Sequence, residues 1–312
     1  MVRRSKYFVG KIIEVSMPTP PESESLRQTA PFQLKDLPDS CTDPAFHAIK
    51  QHVTALGIEN RVTKSLTPIG SGTFVRWGNH FGVLTAEHVV NDPEDPQYRL
   101  DTTEASEHIL RLTVVESPHE LGFDARALKV YNLGPRINDE DGPDIAIIEL
   151  PDSTALRTIG AIKSFWNLTH RTEERIQRAL DPIGCVFVAG HLTEDLRRYA
   201  DVPGFTDVTF APGIIGITGQ DGYFTKGNLD YLEVASERDG ENQAPRSWSG
   251  ISGGSLWRLP VARNAEGVWS VGEVTLAGVP FIEEYMKRPG HLRLCGHGPL
   301  TIYRELLARL PE

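Results

Sequence analysis

Apolar residues in this chain come in short runs rich in β-branched and aromatic side chains, and each run is soon interrupted. Thr73-Phe-Val-Arg-Trp77 and Phe81-Gly-Val-Leu-Thr85 flank the turn pair Gly78-Asn79, which predicts a hairpin. Arg111 to Val115, Ile145 to Ile148, Cys185 to Ala189, Tyr231 to Ala235 and Trp269 to Leu276 repeat the pattern further on. Such runs are too short for the helices of a bundle and suit strands. The 28 glycines and 22 prolines supply the breaks between them. The runs fall into two groups, at about 60–150 and 182–282, an arrangement compatible with paired β-barrels. No internal repeat at a fixed period is visible.

At 312 residues the chain can bury a substantial core in one large domain or two compact ones. Its net charge of −10 argues against a general nucleic-acid partner, because neutralising phosphates needs a clustered basic surface. No stretch approaches the roughly 18 uninterrupted apolar residues of a membrane span, so no membrane association is expected. The opening MVRRSKYFVGKIIEV starts basic, as a signal peptide does. Its apolar run is broken by Lys11 and Glu14 and lacks a small-residue cleavage site, so it reads as a strand in a cytoplasmic protein. Three widely spaced cysteines, Cys41, Cys185 and Cys295, form neither a disulfide framework nor a metal-ligand cluster. No metal and no organic cofactor is expected.

Residues 17–40, rich in Pro, Ser and Glu, read as an extended connector. A helix is predicted after them, capped by Thr42 or Asp43, with Pro44 in its first turn and Gly57 at its end. Phe46, Ile49, Val53 and Leu56 would share its buried face, while His47 and His52 would face solvent rather than pair on a metal. Thr172 to Leu180 reads as a charged helical insertion at the surface, and Leu300 to Leu310 as an amphipathic terminal helix.

The stretch from Ser247 to Ser255, SWSGISGGS, holds four serines and three glycines with no acid or base. A serine hydroxyl is a poor nucleophile until a base takes its proton and donors stabilise the oxyanion. Two other segments offer such groups: GSGTFV (70–75) followed by LTAEHVV (84–90), which places His88 just past a strand, and GPDIAII (142–148), which places Asp144 at the mouth of a buried one. Each also has a plain reading. The glycine-serine stretch can be a loop, His88 a structural residue, and Asp144 a turn cap. Ser249 and Ser255 are rival serines, and Asp141 a rival acid.

Together, GSGTFV…LTAEHVV, DIAII and GISGGSLW resemble the chymotrypsin/trypsin-like serine protease family, especially its bacterial Deg-type catalytic domain without a peptide-binding module. The resemblance covers residues 60–282 and keeps the order His, Asp, Ser. It implies a mainly β fold of two six-stranded antiparallel barrels with N-terminal and C-terminal helices. The implied division is an extension over 1–57, a first barrel over 58–155, a linker over 156–181, a second barrel over 182–298 and a terminal helix over 299–312.

It further implies a serine endopeptidase acting on a polypeptide substrate. His88 would take the proton of Ser252 and Asp144 would fix the imidazole, while the backbone N–H groups of Gly250 and Ser252 would form the oxyanion hole. Substrate contacts would come from Arg246, six residues before the nucleophile, and from Val279, Phe281 and Glu283. Arg246 would favour an acidic substrate side chain, or else be a solvated loop residue. Ile251 stands where secreted relatives carry the aspartate that pairs with a freed amino terminus, so that activation route is not expected. The enzyme would then be either constitutively shaped or controlled by a regulatory protein partner through the first 57 residues. Two rival readings remain: a catalytically inactive pseudoprotease serving as a binding or scaffold module, and an α/β-hydrolase esterase. The second would need a helix after Ser252, and a triad completed by Glu283 with His291 or His297.

Overall fold

The computed structural model describes residues 37–91, 100, 108–113, 120–134, 143–181, 184–192, 197–199, 207–209, 212–217, 222–237, 247–264, 266–285 and 291–312. The expected opening strand, most of the connector, Arg246 and Asp141 lie outside these residues.

The fold is mainly β, with antiparallel sheets and few helices. One sheet takes β1 (Val53–Asn60), β2 (Leu66–Trp77), β3 (His80–Thr85), β4 (His108–Thr113), β5 (Glu120–Asp124), β6 (Lys129–Asn132) and β7 (Ala146–Glu149) in the order β5-β4-β1-β2-β3-β7-β6, with β8 (Trp166–Asn167) parallel to β2. Next in the chain come β9 (Cys185–His191), the hairpin of β10 (Arg197–Tyr199) with β11 (Asp207–Thr209), β12 (Pro212–Ile217), β13 (Gly222–Lys226) and β14 (Leu229–Glu237). They are followed by β15 (Ser255–Leu259), the hairpin of β16 (Val261–Arg263) with β17 (Trp269–Val271), β18 (Thr275–Tyr285) and β19 (His291–His297). The other large sheet orders these as β12-β9-β15-β18-β19-β14-β13. Each path thus carries seven strands rather than six, and among the described residues its two edge strands do not pair with each other.

The predicted hairpin forms as expected: Trp77 pairs with His80, and Gly78 turns the chain with φ 52°. The first helix is shorter than expected. α1 spans Asp39–Lys50, and Val53, Leu56 and Gly57 belong to β1 instead. The helical spacing was misleading because Val53 to Ile58 is buried on both faces, between β2 and β4, where successive side chains all find cover. His52, at the joint, is half-buried and not solvent-facing. It stacks on Trp257 and meets Trp166 edge-on, and its Nδ1 lies 2.8 Å from the Ser164 carbonyl.

Two short helices join the sheets. α3 (Thr154–Ile162) was not anticipated, although Ser153 accepts the Leu156 N–H as a helix cap should. α4 (Thr172–Leu180) forms where expected but is more than a surface insertion, because Ile176 and Ala179 are buried. The expected terminal helix is a π-helical segment, Thr301–Leu306, and a 3-10 turn, Leu307–Arg309. Its start is tied to β14: buried Asp230 accepts the Thr301 and Leu300 N–H groups at 2.6 and 3.0 Å. The run Trp269 to Leu276 is divided between β17 and β18 by Gly272, Glu273 and Val274.

Three cores hold this together. Phe74, Val83, Leu110 and Ile148 fill the first sheet, and Val186, Leu232, Leu256 and Leu294 the second. A third core of Val75, Trp77, Ile147, Phe187, Trp257 and Tyr303 lies between the sheets. Cys41, Cys185 and Cys295 are buried free thiols, and burial pushes the Cys185 thiol up to about 11. Among the described residues no helix is long and apolar enough to cross a membrane.

Candidate active site

His88 and Asp144 are brought together by adjacent strands. β3 and β7 pair from Gly82↔Glu149 to Thr85↔Ala146, so the chain leaving β3 and the chain entering β7 emerge side by side. His88 lies in the single turn α2 (Glu87–Val90), directly after β3. Asp144, two residues before β7, is fully buried. One of its carboxylate oxygens accepts the His88 backbone N–H at 2.9 Å, and the other lies 2.7 Å from His88 Nδ1. Two bonds to one carboxylate fix the ring: Nδ1 donates, and Nε2 is left as the acceptor on a side chain that is 25% exposed. Asp144 in turn donates its backbone N–H to Nε2 of His297 at 3.0 Å.

The Gly250–Gly254 turn, ahead of β15, packs against β2 and the chain that leaves β3 towards His88. Ser71 of β2 donates its backbone N–H to the Ser252 carbonyl at 2.9 Å and its hydroxyl to the Gly250 carbonyl at 2.7 Å. The same hydroxyl accepts the His191 N–H from β9 at 2.8 Å. A methyl on Gly70 would lie 2.9 Å both from the Ser252 carbonyl oxygen and from a Val89 methyl, so the serine turn and the histidine turn meet over this residue.

Gly253 is tighter still. It has φ 78°, and a Cβ there would sit 2.0 Å from the Thr85 hydroxyl and 2.8 Å from the Ala86 nitrogen. Its N–H donates to the Pro280 carbonyl of β18.

Trp248 accepts the Ile251 N–H at 2.9 Å, with Gly250 at φ 89°. A positive φ at the third position marks a type II turn, the reason glycine is required there. Among the described residues, the N–H groups of Gly250 and Ser252 donate to no protein acceptor. The Ser252 hydroxyl likewise makes no hydrogen bond, so its link to His88 is open in this structure. Ser249 is exposed, while Ser255 is buried and accepts the Trp257 indole N–H. Ile251 is buried in the second core and forms no ion pair.

The expected substrate contacts fare differently. Val279 is fully buried and Phe281 is 6% exposed, so neither presents its side chain as a pocket wall. Their strand offers its backbone instead. β15 pairs with β18 only as far as Gly278, while β19 continues along its other side to Tyr285. Beyond Pro280 one edge of β18 has no strand partner among the described residues. Glu283 accepts a hydrogen bond from Ser247 at 3.1 Å, and its other carboxylate oxygen is buried with no partner among the described residues.

A strand follows Ser252, where the α/β-hydrolase reading needs a helix, and the surrounding sheet is antiparallel. That reading is overturned. Among the described residues no group of three His, Cys, Asp or Glu is placed to hold a metal ion.

No family model matches the sequence. No curated protein matches it. Among solved structures the chain is similar to the Rv3671c protease from M. tuberculosis in its active form, at 12% identity and a TM-score of 0.43, over 95% of this chain and 94% of that one. It is also similar, at 10% identity and a TM-score of 0.36, over 81% and 88% of the two chains, to a structure described under the coupled folding and binding of the intrinsically disordered Sesbania mosaic virus VPg protein. At these values neither likeness bears on the site's chemistry.

Proposed function

We propose that the protein is a trypsin-like serine endopeptidase of two β-barrels, with His88, Asp144 and Ser252 as its triad and Gly250 and Ser252 as its oxyanion hole. The observation that carries this is the His88–Asp144 pair at 2.7 Å, with the Ser252 turn bonded to β2, which pairs with the strand that leads into His88. In this reading Nε2 of His88 takes the Ser252 proton as Oγ attacks the scissile carbonyl. The imidazolium so formed faces the buried Asp144 carboxylate. The two uncommitted N–H groups receive the oxyanion, each worth roughly 3 kcal/mol in the transition state. The leaving amine then takes the proton from His88, and water repeats the sequence on the acyl-enzyme. A substrate strand would lie along the unpaired edge of β18 beyond Pro280. Arg246, six residues before the proposed nucleophile, would favour an acidic side chain, which a peptide library with acidic, basic and apolar positions would test.

A second reading, a catalytically silent binding module, is favoured by the open link between Ser252 and His88. Catalytic hydrogen bonds of this kind often close only when substrate is bound. Digestion of an unfolded protein substrate separates the two. Cleavage by the wild type that is absent from Ser252→Ala and His88→Ala supports the enzyme, whereas an intact substrate with all three proteins supports the module.

A further inference from the structure

Asp144 receives help from the far sheet that the triad scheme does not use. Lying before β7, it makes no ladder contact through its N–H, and an unpaired buried N–H costs roughly 1–3 kcal/mol. The acceptor is His297, the last residue of β19. Its ring is fully buried, stacked on Phe281 at 4.7 Å and tilted against Tyr231 at 5.0 Å. Because Nε2 accepts, Nδ1 must carry the proton, and that Nδ1 is buried with no partner among the described residues. A side chain chosen only to fill this space would leave no polar atom unmet.

We infer that His297 is a positioning residue of the proposed triad, whose neutral imidazole fixes the main chain of Asp144 and so the angle at which the carboxylate meets His88. Burial holds the His297 imidazole down to about 4, against the pull of the Asp144 charge, so it stays a neutral acceptor through the working range of a histidine base. The titratable groups around it are Asp144, the Tyr231 phenol, and Asp230, whose carbonyl accepts the N–H of the next residue, Gly298. The inference rests on the protease reading for its purpose, but its geometry can be tested without turnover.

The first test uses the wild-type protein. Nitrogen-15 NMR should show His297 protonated at Nδ1 and bare at Nε2 from pH 6 to 8; an Nε2–H tautomer or an imidazolium there overturns the inference. The second uses variants. His297→Phe keeps the ring stack and removes the acceptor, so kcat should fall about tenfold with KM within about twofold, and the acid limb of the activity profile should move to lower pH. His297→Gln, whose amide oxygen can accept, should recover most of the loss. A Phe variant as active as wild type, or a Gln variant no better than Phe, overturns the inference. If the wild type cleaves nothing, the protease reading fails and the variants are read on the Nδ1 proton of His88. That signal should shift upfield and exchange faster in His297→Phe alone, and its persistence unchanged overturns the inference independently.

Discussion

The hydroxyl of Ser71 stands between the Gly250 carbonyl, to which it donates at 2.7 Å, and the His191 N–H, from which it accepts at 2.8 Å. One strand of the first sheet therefore holds the turn before Ser252 and the end of β9 at once. Ser71→Ala would take the donor from the part-buried Gly250 carbonyl and the acceptor from the buried His191 N–H, at roughly 1–3 kcal/mol in all. Chemical denaturation should show that loss, and kcat should fall more than KM rises, because the turn that presents the oxyanion donors loosens. Unchanged stability and unchanged kcat would contradict this role.

Gly253 tolerates no side chain. Its φ of 78° and the Thr85 hydroxyl 2.0 Å from a Cβ both oppose one. Gly253→Ala should cost more than the roughly 1 kcal/mol of an ordinary glycine position and abolish any activity that wild type shows. Thermal unfolding is the check, with Gly160→Ala of α3 as the comparison, since a Cβ there meets nothing within 4 Å and the backbone is helical.

Stability should fall on mild acidification. Burial between the indoles holds the His52 imidazole down to about 4, helped by Lys163 and Arg175 and opposed by its Ser164 hydrogen bond; burial does the same for His297. Both have folded values below the unfolded 6.5, so the unfolded chain binds more protons between those limits. Their contribution is complete above pH 6.5 and is lost as the pH falls towards 4. The loss is on the order of 3 kcal/mol for His297 and less for half-buried His52. Urea midpoints at stepped pH should drop across this window, and less steeply in His52→Asn. A midpoint flat from 6.5 to 5 would contradict the assignment.

Truncation should separate the extension from the body. Removing residues 1–36 leaves α1 and β1 whole, and a folded product is expected. Removing 1–57 takes Val53 to Gly57, which pair with β2, and in part with β4, and should prevent folding. Circular dichroism distinguishes the two products. Control by a regulatory partner through the extension is therefore tested only with the shorter deletion: unchanged activity and partner binding after it would end that idea.

Strand positions were legible where short β-branched runs met turn residues, as in β2, β3, β9 and β14. Val53 to Ile58 misled because a strand buried on both faces has no alternation, and the helix before it supplied a continuous apolar spacing. His88 and Asp144 could be proposed from their flanking strands, and the β3–β7 pairing accounts for their meeting. His297 could not. Its place behind Asp144 depends on the register of β19 beside β18 and β14, which no local pattern encodes. Ser71 lies within GSGTFV, and nothing local tells its structural hydroxyl from that of any other serine. The cover of Val279 and Phe281 likewise follows from sheet packing rather than from their sequence neighbours.

The central claim is that Ser252 is a nucleophile driven by His88. Incubation with a fluorophosphonate followed by peptide mass mapping tests it most directly. The account predicts one covalent adduct, on Ser252, formed by wild type and lost in His88→Ala and Ser252→Ala. No adduct on the folded wild type, or one on Ser249 or Ser255 instead, would contradict it.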